Sequence, residues 1–305
     1  MDRKEAVLCS IDRDGIGLEI GPSHAPIAAK KDGFKVEIID HANAEDLIDK
    51  YTGHGLDINS IEKVDHIWQG ESYAELTGKR SYYDWIIASH VIEHTPDIVS
   101  FLLNCNDVLN DEGMLSLAVP DYRYIFDQYR APTGLSKVLE AFHEKRTRHS
   151  IGAVAEHYLY SSNKGGAIAW SKFAHGESAL AYDYQQAVSY IEQASKDERY
   201  MDVHAWCFTP SLFRLVIKDL NSLGLCPLKE ASFFSTSGCE FFITLSRSAQ
   251  GASESRLQLM KSMQRELGGV SGFSGNVRSM VGLANKLRRS AGRLFSFSDK
   301  ASPQE

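Results

Sequence analysis

Two hydrophobic periods alternate along the first part of the chain. Short apolar runs bounded by turn residues predict strands at 16–20, 34–39, 64–68, 83–89 and 114–119. Apolar residues at helical spacing predict a helix over 99–109, and 46–51 continues the second strand as a short helix. Asp111-Glu112-Gly113 reads as a turn before the fifth strand. This alternation is the pattern of an α/β sheet. Residues 131–200 change character: they are rich in Tyr, His, Ser and Ala, carry little strand signal, and predict a mostly helical insertion. Segments placed after the carboxyl ends of parallel strands tend to cover the ligand crevice. The α/β pattern resumes at Thr209-Pro210-Ser211, where Thr209 is a helix N-cap and Pro210 fits the first turn. An amphipathic helix over 212–223 follows, closed by Gly224. Two closing strands are expected at 225–234 and 240–245, joined as a hairpin by a turn at 235–238.

Residues 247–305 read as two helices separated by Gly268-Gly269-Val270-Ser271-Gly272. In 277–295, Val277, Met280, Val281, Leu283, Ala284, Leu287, Ala291, Leu294 and Phe295 share one side of a helical wheel. Arg278, Lys286, Arg289 and Arg293 fall opposite, and only Arg288 intrudes on the apolar side. Such a helix can lie on an anionic membrane or dock on a partner. Charge sharpens the contrast. The whole chain of 305 residues carries −7, which argues against a nucleic-acid binder, yet from Arg247 onward ten Lys/Arg face four Asp/Glu. The body is therefore more acidic than the whole, and the tail is basic. Five scattered cysteines with no CxxC pair point to reduced thiols in the cytoplasm. No signal core follows Met1-Asp2-Arg3-Lys4-Glu5, and no apolar run approaches the roughly 20 residues that span a bilayer. The expected location is cytoplasmic, with peripheral contact on the inner membrane face through 277–295.

Three elements align as a nucleotide-cofactor half-site. Glu19-Ile20-Gly21, followed by Pro22-Ser23-His24, is a tight turn at the end of the first strand. Asp40 ends the second strand nineteen positions after Gly21, close to the spacing at which an acid meets ribose hydroxyls. Gly70-Glu71 closes the third strand beside the expected adenine position. A ribose diol offers two donors and a carboxylate accepts both.

With these residues the chain resembles the class I S-adenosylmethionine-dependent methyltransferases. Glu19-x-Gly21, Asp40, Gly70-Glu71, the run Tyr83-Asp84-Trp85-Ile86-Ile87-Ala88-Ser89-His90-Val91-Ile92-Glu93-His94, and Leu109-x-x-Glu112-Gly113-Met114-Leu115 match that family's motifs in order. The resemblance covers about 1–125 and 204–245. It implies a Rossmann-like, mostly parallel sheet with an antiparallel last strand, and S-adenosylmethionine as cofactor. Its division is a cofactor-binding core (1–130), a helical lid (131–200), completion of the core (201–246) and a basic tail (247–305). Cofactor contacts are expected from Glu19, Gly21, Ser23, Asp40, Gly70, Glu71, Ser89 and His90. Within the superfamily, the stretches 88–94, 119–127 and 202–210 look like bacterial methyltransferases encoded with surface-polysaccharide and glycosyltransferase genes, which implies a sugar or glycan-linked acceptor. The sequence departs from the family's Gly-x-Gly-x-Gly run with Ser23 and Ala25, small residues that permit close approach less freely than glycine. At the fourth strand, Ser89 or His90 stands where an acid often contacts the methionine end.

Methyl transfer to a hydroxyl needs positioning and a base. His94, His90 and Asp121 are the candidate bases, all expected near carboxyl ends of strands. Arg123 and Asp127 are candidates for an acceptor-binding rim, and His204 and Trp206 for stacking a sugar ring; the plainer readings are a local ion-pair cluster and a core tryptophan. His143, His149, His157 and His175 lack ligand spacing and are expected on the lid surface. His90-Val91-Ile92-Glu93-His94 fits H-x-x-E-H, but that zinc pattern needs a continuous helix. Here a strand precedes it and Thr95-Pro96 follows, so no metal is expected. Two other classes share parts of the pattern. A nicotinamide-dependent oxidoreductase is disfavoured by the missing Gly-x-Gly-x-x-Gly and by the acid before Gly21. A non-catalytic scaffold would keep the fold and use the basic tail to reach a membrane or partners.

Overall fold

The computed structural model describes residues 2–268, apart from 54 and 198. Helix α1 (Arg3–Leu8) precedes strand β1 (Ile16–Ile20), β2 (Lys35–Asp40), α2 (Ala44–Tyr51), β3 (His66–Ile67), α3 (Tyr73–Thr77), β4 (Tyr83–Ser89), α4 (Ile98–Val108) and β5 (Leu109–Pro120). The insertion holds α5 (Leu135–His143), α6 (Ile151–Tyr160), β6 (Ser162–Lys164), β7 (Ser178–Leu180) and α7 (Tyr184–Lys196). Then come α8 (Pro210–Ser222), β8 (Lys229–Ser237), β9 (Glu240–Ser246) and α9 (Arg256–Gly268).

Seven strands form one sheet in the order β3-β2-β1-β4-β5-β9-β8. β3, β2, β1, β4 and β5 run parallel, while β9 pairs antiparallel with both β5 and β8. This is the Rossmann-like methyltransferase sheet that the motif order implies. The chain runs outward from β1 through β2 to β3, then crosses back to β4. That reversal opens a crevice beyond the carboxyl ends of β1 and β4, where ligands of open α/β sheets bind.

Both faces of β4 are buried, as its unbroken apolar run requires. Ile86 and Ala88 face the larger core with α4 and α8 residues; Trp85 and Ile87 face Ala6, Val7, Ile27 and Ala28. Helix α1 and helix α3 are too short to show a period, but each starts with a capping box, Asp2 with Glu5 and Ser72 with Glu75. The predicted third strand shrinks to two residues. β8 begins at Lys229 rather than 225 because Pro227 has no N–H to give a ladder, and its turn is Gly238-Cys239 rather than 235–238. The insertion contains a β6–β7 hairpin besides its helices. It leaves and rejoins the core at one place: Asp121 and Phe208 form a parallel bridge, and the Tyr122 N–H donates to the Phe208 carbonyl at 3.1 Å.

Helix α9 lies on α8 through Leu215, Leu259 and Met260, with Arg256 paired to Asp219 at 2.6 Å. The amphipathic stretch 277–295 lies outside the described residues. Among the described residues, no helix is long and apolar enough to cross a membrane.

Candidate active site

Gly21 leaves β1 at φ +62°, and its N–H donates to the Ile39 carbonyl at 2.8 Å, which ties the turn to β2. A Cβ here would stand 3.0 Å from Val91 Cγ2 in a conformation that side chains resist, so the position needs glycine. Two residues on, Ser23 adopts φ +46° and aims its N–H and hydroxyl at Asp40 Oδ2, at 3.0 and 3.3 Å. The other Asp40 oxygen accepts from the His41 N–H at 2.8 Å and stands 2.6 Å from His41 Nδ1. The turn and the acid therefore meet, with protein donors on the carboxylate.

Glu19 behaves differently from expectation. It is 1% exposed, and its two oxygens accept from the backbone N–H groups of Ile27 and Ala28 at 2.7 and 3.0 Å. It braces the loop 22–29 from inside and does not face the crevice. A side chain two before the turn lies on the pleat that points into the layer under α1, where the loop's backbone donors engage both of its oxygens. Burial pushes its carboxyl up to about 7 against the pull of the two backbone donors. The group binds its proton more tightly folded than unfolded, so its stabilising contribution is full below pH 4.5 and is lost as pH rises through 7. The expected loss over that window is about 3 kcal/mol. Urea unfolding across pH 4–8 checks it: the slope should flatten in Glu19→Gln, and an unchanged slope would refute the assignment. Gly70 stands at φ +116°, and the Glu71 carboxylate accepts from the Gln69 N–H at 2.9 Å, so Glu71 closes its own turn.

At the mouth of β4, Ser89 Oγ accepts from Arg3 Nη2 at 2.6 Å, and Arg3 Nε pairs with Glu240 at 2.7 Å. His90, at φ +54°, places Nε2 2.9 Å from Glu240 and Nδ1 3.5 Å from Glu93. A single 3-10 turn, Ile92–His94, replaces the helix that a zinc-peptidase pattern needs. His94 Nδ1 lies 2.7 Å from Asp202 Oδ1, and its ring meets His204 edge-on with centroids 4.5 Å apart. Burial drags both His90 and His94 toward the neutral form; the Glu240 hydrogen bond on His90, the close Asp202 carboxylate at His94 and the charge of Glu93 outweigh it and raise both.

The insertion supplies the opposite wall. Asp127 is fully buried, accepting from Arg130 at 2.8 Å and lying 2.5 Å from His204 Nδ1. His157 Nδ1 accepts the His204 N–H at 3.3 Å, His149 lies against Tyr200 at 5.1 Å, and the Tyr200 hydroxyl donates to the His94 carbonyl at 2.9 Å. His149 and His157, expected on the lid surface, are instead buried; desolvation drives them down to about 4 and about 3. Glu93, Asp202, His149 and His157 are the residues that sequence reasoning missed. Asp202 meets His94 from 108 positions away and His157 meets His204 from 47, beyond any local spacing rule.

Three further expectations are corrected. Asp121 is no base: it is buried, and its oxygens accept from Arg123 Nε at 2.8 Å, Arg123 Nη2 at 2.5 Å and Thr236 Oγ1 at 2.6 Å. Arg123 is correspondingly committed to Asp121, although it lines a cleft of about 500 Å³ with Tyr124, Lys172, Phe173 and Phe233. Trp206 is core: it is buried, and its indole N–H donates to the Thr95 carbonyl at 2.5 Å.

No protein-family model matches the sequence, and no curated protein matches it. Among solved structures, an S-adenosylmethionine-dependent methyltransferase of Methanosarcina mazei is 11% identical, with 82% of this chain and 100% of that chain covered at TM-score 0.39. The methyltransferase CcbJ of Streptomyces caelestis is 12% identical, over 81% and 89% of the two chains at TM-score 0.43. A chain from Rhodobacter sphaeroides named as a Zn-dependent alcohol dehydrogenase is 13% identical, over 82% and 91% at TM-score 0.43. Likenesses this distant decide nothing about activity, and the fold rests on the chain's own strand order.

Proposed function

We propose that the chain is an S-adenosylmethionine-dependent methyltransferase that methylates a hydroxyl of a saccharide or surface-glycan precursor. The observation that carries the reading is the switch-point geometry: the Gly21 turn, Ser23 and the buried Asp40 converge beside the mouth of β4 in a sheet with one reversed strand. These residues fit the cofactor. Asp40 can exchange its Ser23 and His41 donors for a ribose diol, and Gly21 keeps the floor free of side chain. When bound, S-adenosylmethionine supplies an electrophilic methyl group on a sulfonium. On this reading an acceptor hydroxyl sheds its proton beside the polar cluster of Glu93, His94 and His204. The glycan reading is supported by the meeting of the two stretches on which that resemblance rests. Residues 119–127 and 202–210 join at the Asp121–Phe208 bridge and at Asp127–His204.

Titration calorimetry with S-adenosylmethionine and with NAD tests the proposal. Binding of the first alone is expected, and binding of NAD alone or of neither would overturn it. Asp40→Ala should weaken S-adenosylmethionine by about tenfold or more, because a carboxylate accepting hydrogen bonds is worth about 1.5–3 kcal/mol. An unchanged affinity would remove the ribose assignment.

A further inference from the structure

Among the described residues, Glu93 is the carboxylate of the site left without a hydrogen-bond donor. Its side chain is 1% exposed, neither of its oxygens has a hydrogen-bond partner, and His90 Nδ1 stands off at 3.5 Å. Asp127, equally buried, is bonded to Arg130 and His204, and Glu19 to two backbone N–H groups. A buried carboxylate left without donors carries its desolvation penalty uncompensated, and such groups in native proteins signal a missing partner.

The surroundings say what kind of partner. One ligand atom from each of Glu93, His94 and His204 lies within 4.8 Å of the others. Both imidazoles have Nδ1 against a carboxylate, His204 at 2.5 Å from Asp127 and His94 at 2.7 Å from Asp202. Asp127 holds the His204 ring through its hydrogen bond to Nδ1 and leaves Nε2 as that ring's remaining ligand atom, whereas His94 Nδ1 faces Asp202 without a well-directed hydrogen bond and is itself a buried atom without a partner. Carboxylate–histidine pairs of this kind orient metal-binding imidazoles and raise their basicity.

We propose that Glu93, His94 and His204 bind a divalent transition-metal cation of the zinc class. Two imidazole nitrogens and one carboxylate oxygen suit such an ion and disfavour magnesium or calcium, which take oxygen ligands. Ligand atoms of a tetrahedral site stand about 3.3 Å apart, given metal–ligand bonds of about 2.0–2.1 Å. The ligand atoms therefore draw together by up to about 1.5 Å when the ion enters. The set differs from the H-x-x-E-H peptidase arrangement: His90 is turned away to Glu240, the glutamate is itself a ligand, and the third ligand comes from the far side of the insertion. Three protein ligands leave a coordination position for a further ligand. If the methyltransferase reading holds, an acceptor hydroxyl in that position would be made more acidic by the cation, with its proton passing to solvent. The cation site itself does not depend on that reading.

The test uses the full chain, stripped with a chelator and dialysed, then titrated with Zn²⁺, Mn²⁺ and Mg²⁺ separately, without S-adenosylmethionine. Calorimetry and metal analysis after desalting should give about one Zn²⁺ per chain, with Mg²⁺ at least about 100-fold weaker. Co²⁺ in place of Zn²⁺ should give the visible absorption of a four- or five-coordinate site. Glu93→Gln and His204→Ala should each weaken Zn²⁺ by about 100-fold or more and remove the Co²⁺ spectrum, while His175→Ala, on the exposed lid, should change neither. Wild-type protein that retains no zinc, or Glu93→Gln that binds as wild type does, would overturn the proposal. The wild-type stoichiometry is decisive even if a variant fails to fold. A negative metal titration leaves the S-adenosylmethionine calorimetry untouched, so the two proposals fail separately.

Discussion

Gly17→Ala should destabilise the fold by about 3–5 kcal/mol and sharply cut the yield of folded protein. Gly17 sits mid-strand in β1, directly beside Trp85 of β4 in the parallel register. A Cβ at position 17 would stand 2.1 Å from Trp85 Cη2 and Cζ2 and 2.2 Å from Cε2, well inside any real contact. The indole cannot step aside. It is fully buried, with Phe34 edge-on at 6.0 Å and Ile87, Ala118 and Phe242 in the same cluster. A forced methylene in a tight core commonly costs about 1–3 kcal/mol. Expelling a buried tryptophan costs about 3–5 kcal/mol. A typical domain has only about 5–15 kcal/mol to lose. Soluble yield and urea unfolding check this. The double variant Gly17→Ala/Trp85→Leu should be more stable than the sum of its single effects predicts, since the two positions share one volume. A Gly17→Ala protein with a wild-type midpoint would refute the packing.

Asp127→Ala should destabilise the chain by about 3–5 kcal/mol, the usual result of stripping one partner from a buried ion pair. Burial alone would raise the Asp127 carboxyl, yet His204 and Arg130 hold it down at about 2. The Arg130 side chain is fully buried; without Asp127 its guanidinium keeps the His204 carbonyl at 2.8 Å and Glu156 at 3.4 Å, too little to balance a desolvated charge. Urea unfolding of Asp127→Ala beside the exposed Asp111→Ala is the check. Equal stability of the two would show that the network contributes nothing. Asp127→Ala/Arg130→Met should recover part of the loss by removing the orphaned charge along with its partner.

The core is legible wherever local chemistry and global position agree. β1 and β4 match the predicted ranges because a strand buried on both faces reads as an unbroken apolar run between turn residues. Thr209 and Pro210 start α8 as predicted because cap and first-turn preferences are local. Asp40 is legible because its partner, Ser23, belongs to the turn that the same motif describes. Glu19 misleads because a motif gives identity and spacing but not the side of the pleat. Asp121 and Trp206 mislead because an acid or an indole looks the same in sequence whether its polar atoms are free or engaged by Arg123 and the Thr95 carbonyl. His94–Asp202 and Asp127–His204 are invisible in sequence, since each pair is made by the return of the insertion and by nothing local.

That return has a consequence for the order in which the molecule assembles. The Asp121–Phe208 bridge closes residues 122–207 into a loop pinned at its base, and the same closure brings β9 to β5 and His204 to His94. β1 to β5 pair within the first 120 residues and need no such closure. The entropy of closing a loop that long is paid once, for the last sheet contacts and the His94–His204 wall together. Amide exchange should therefore sort the molecule into an early half around Gly21 and Asp40 and a late half around His94 and His204. A nascent chain would present the Gly21–Asp40 turn before the wall that faces it had formed.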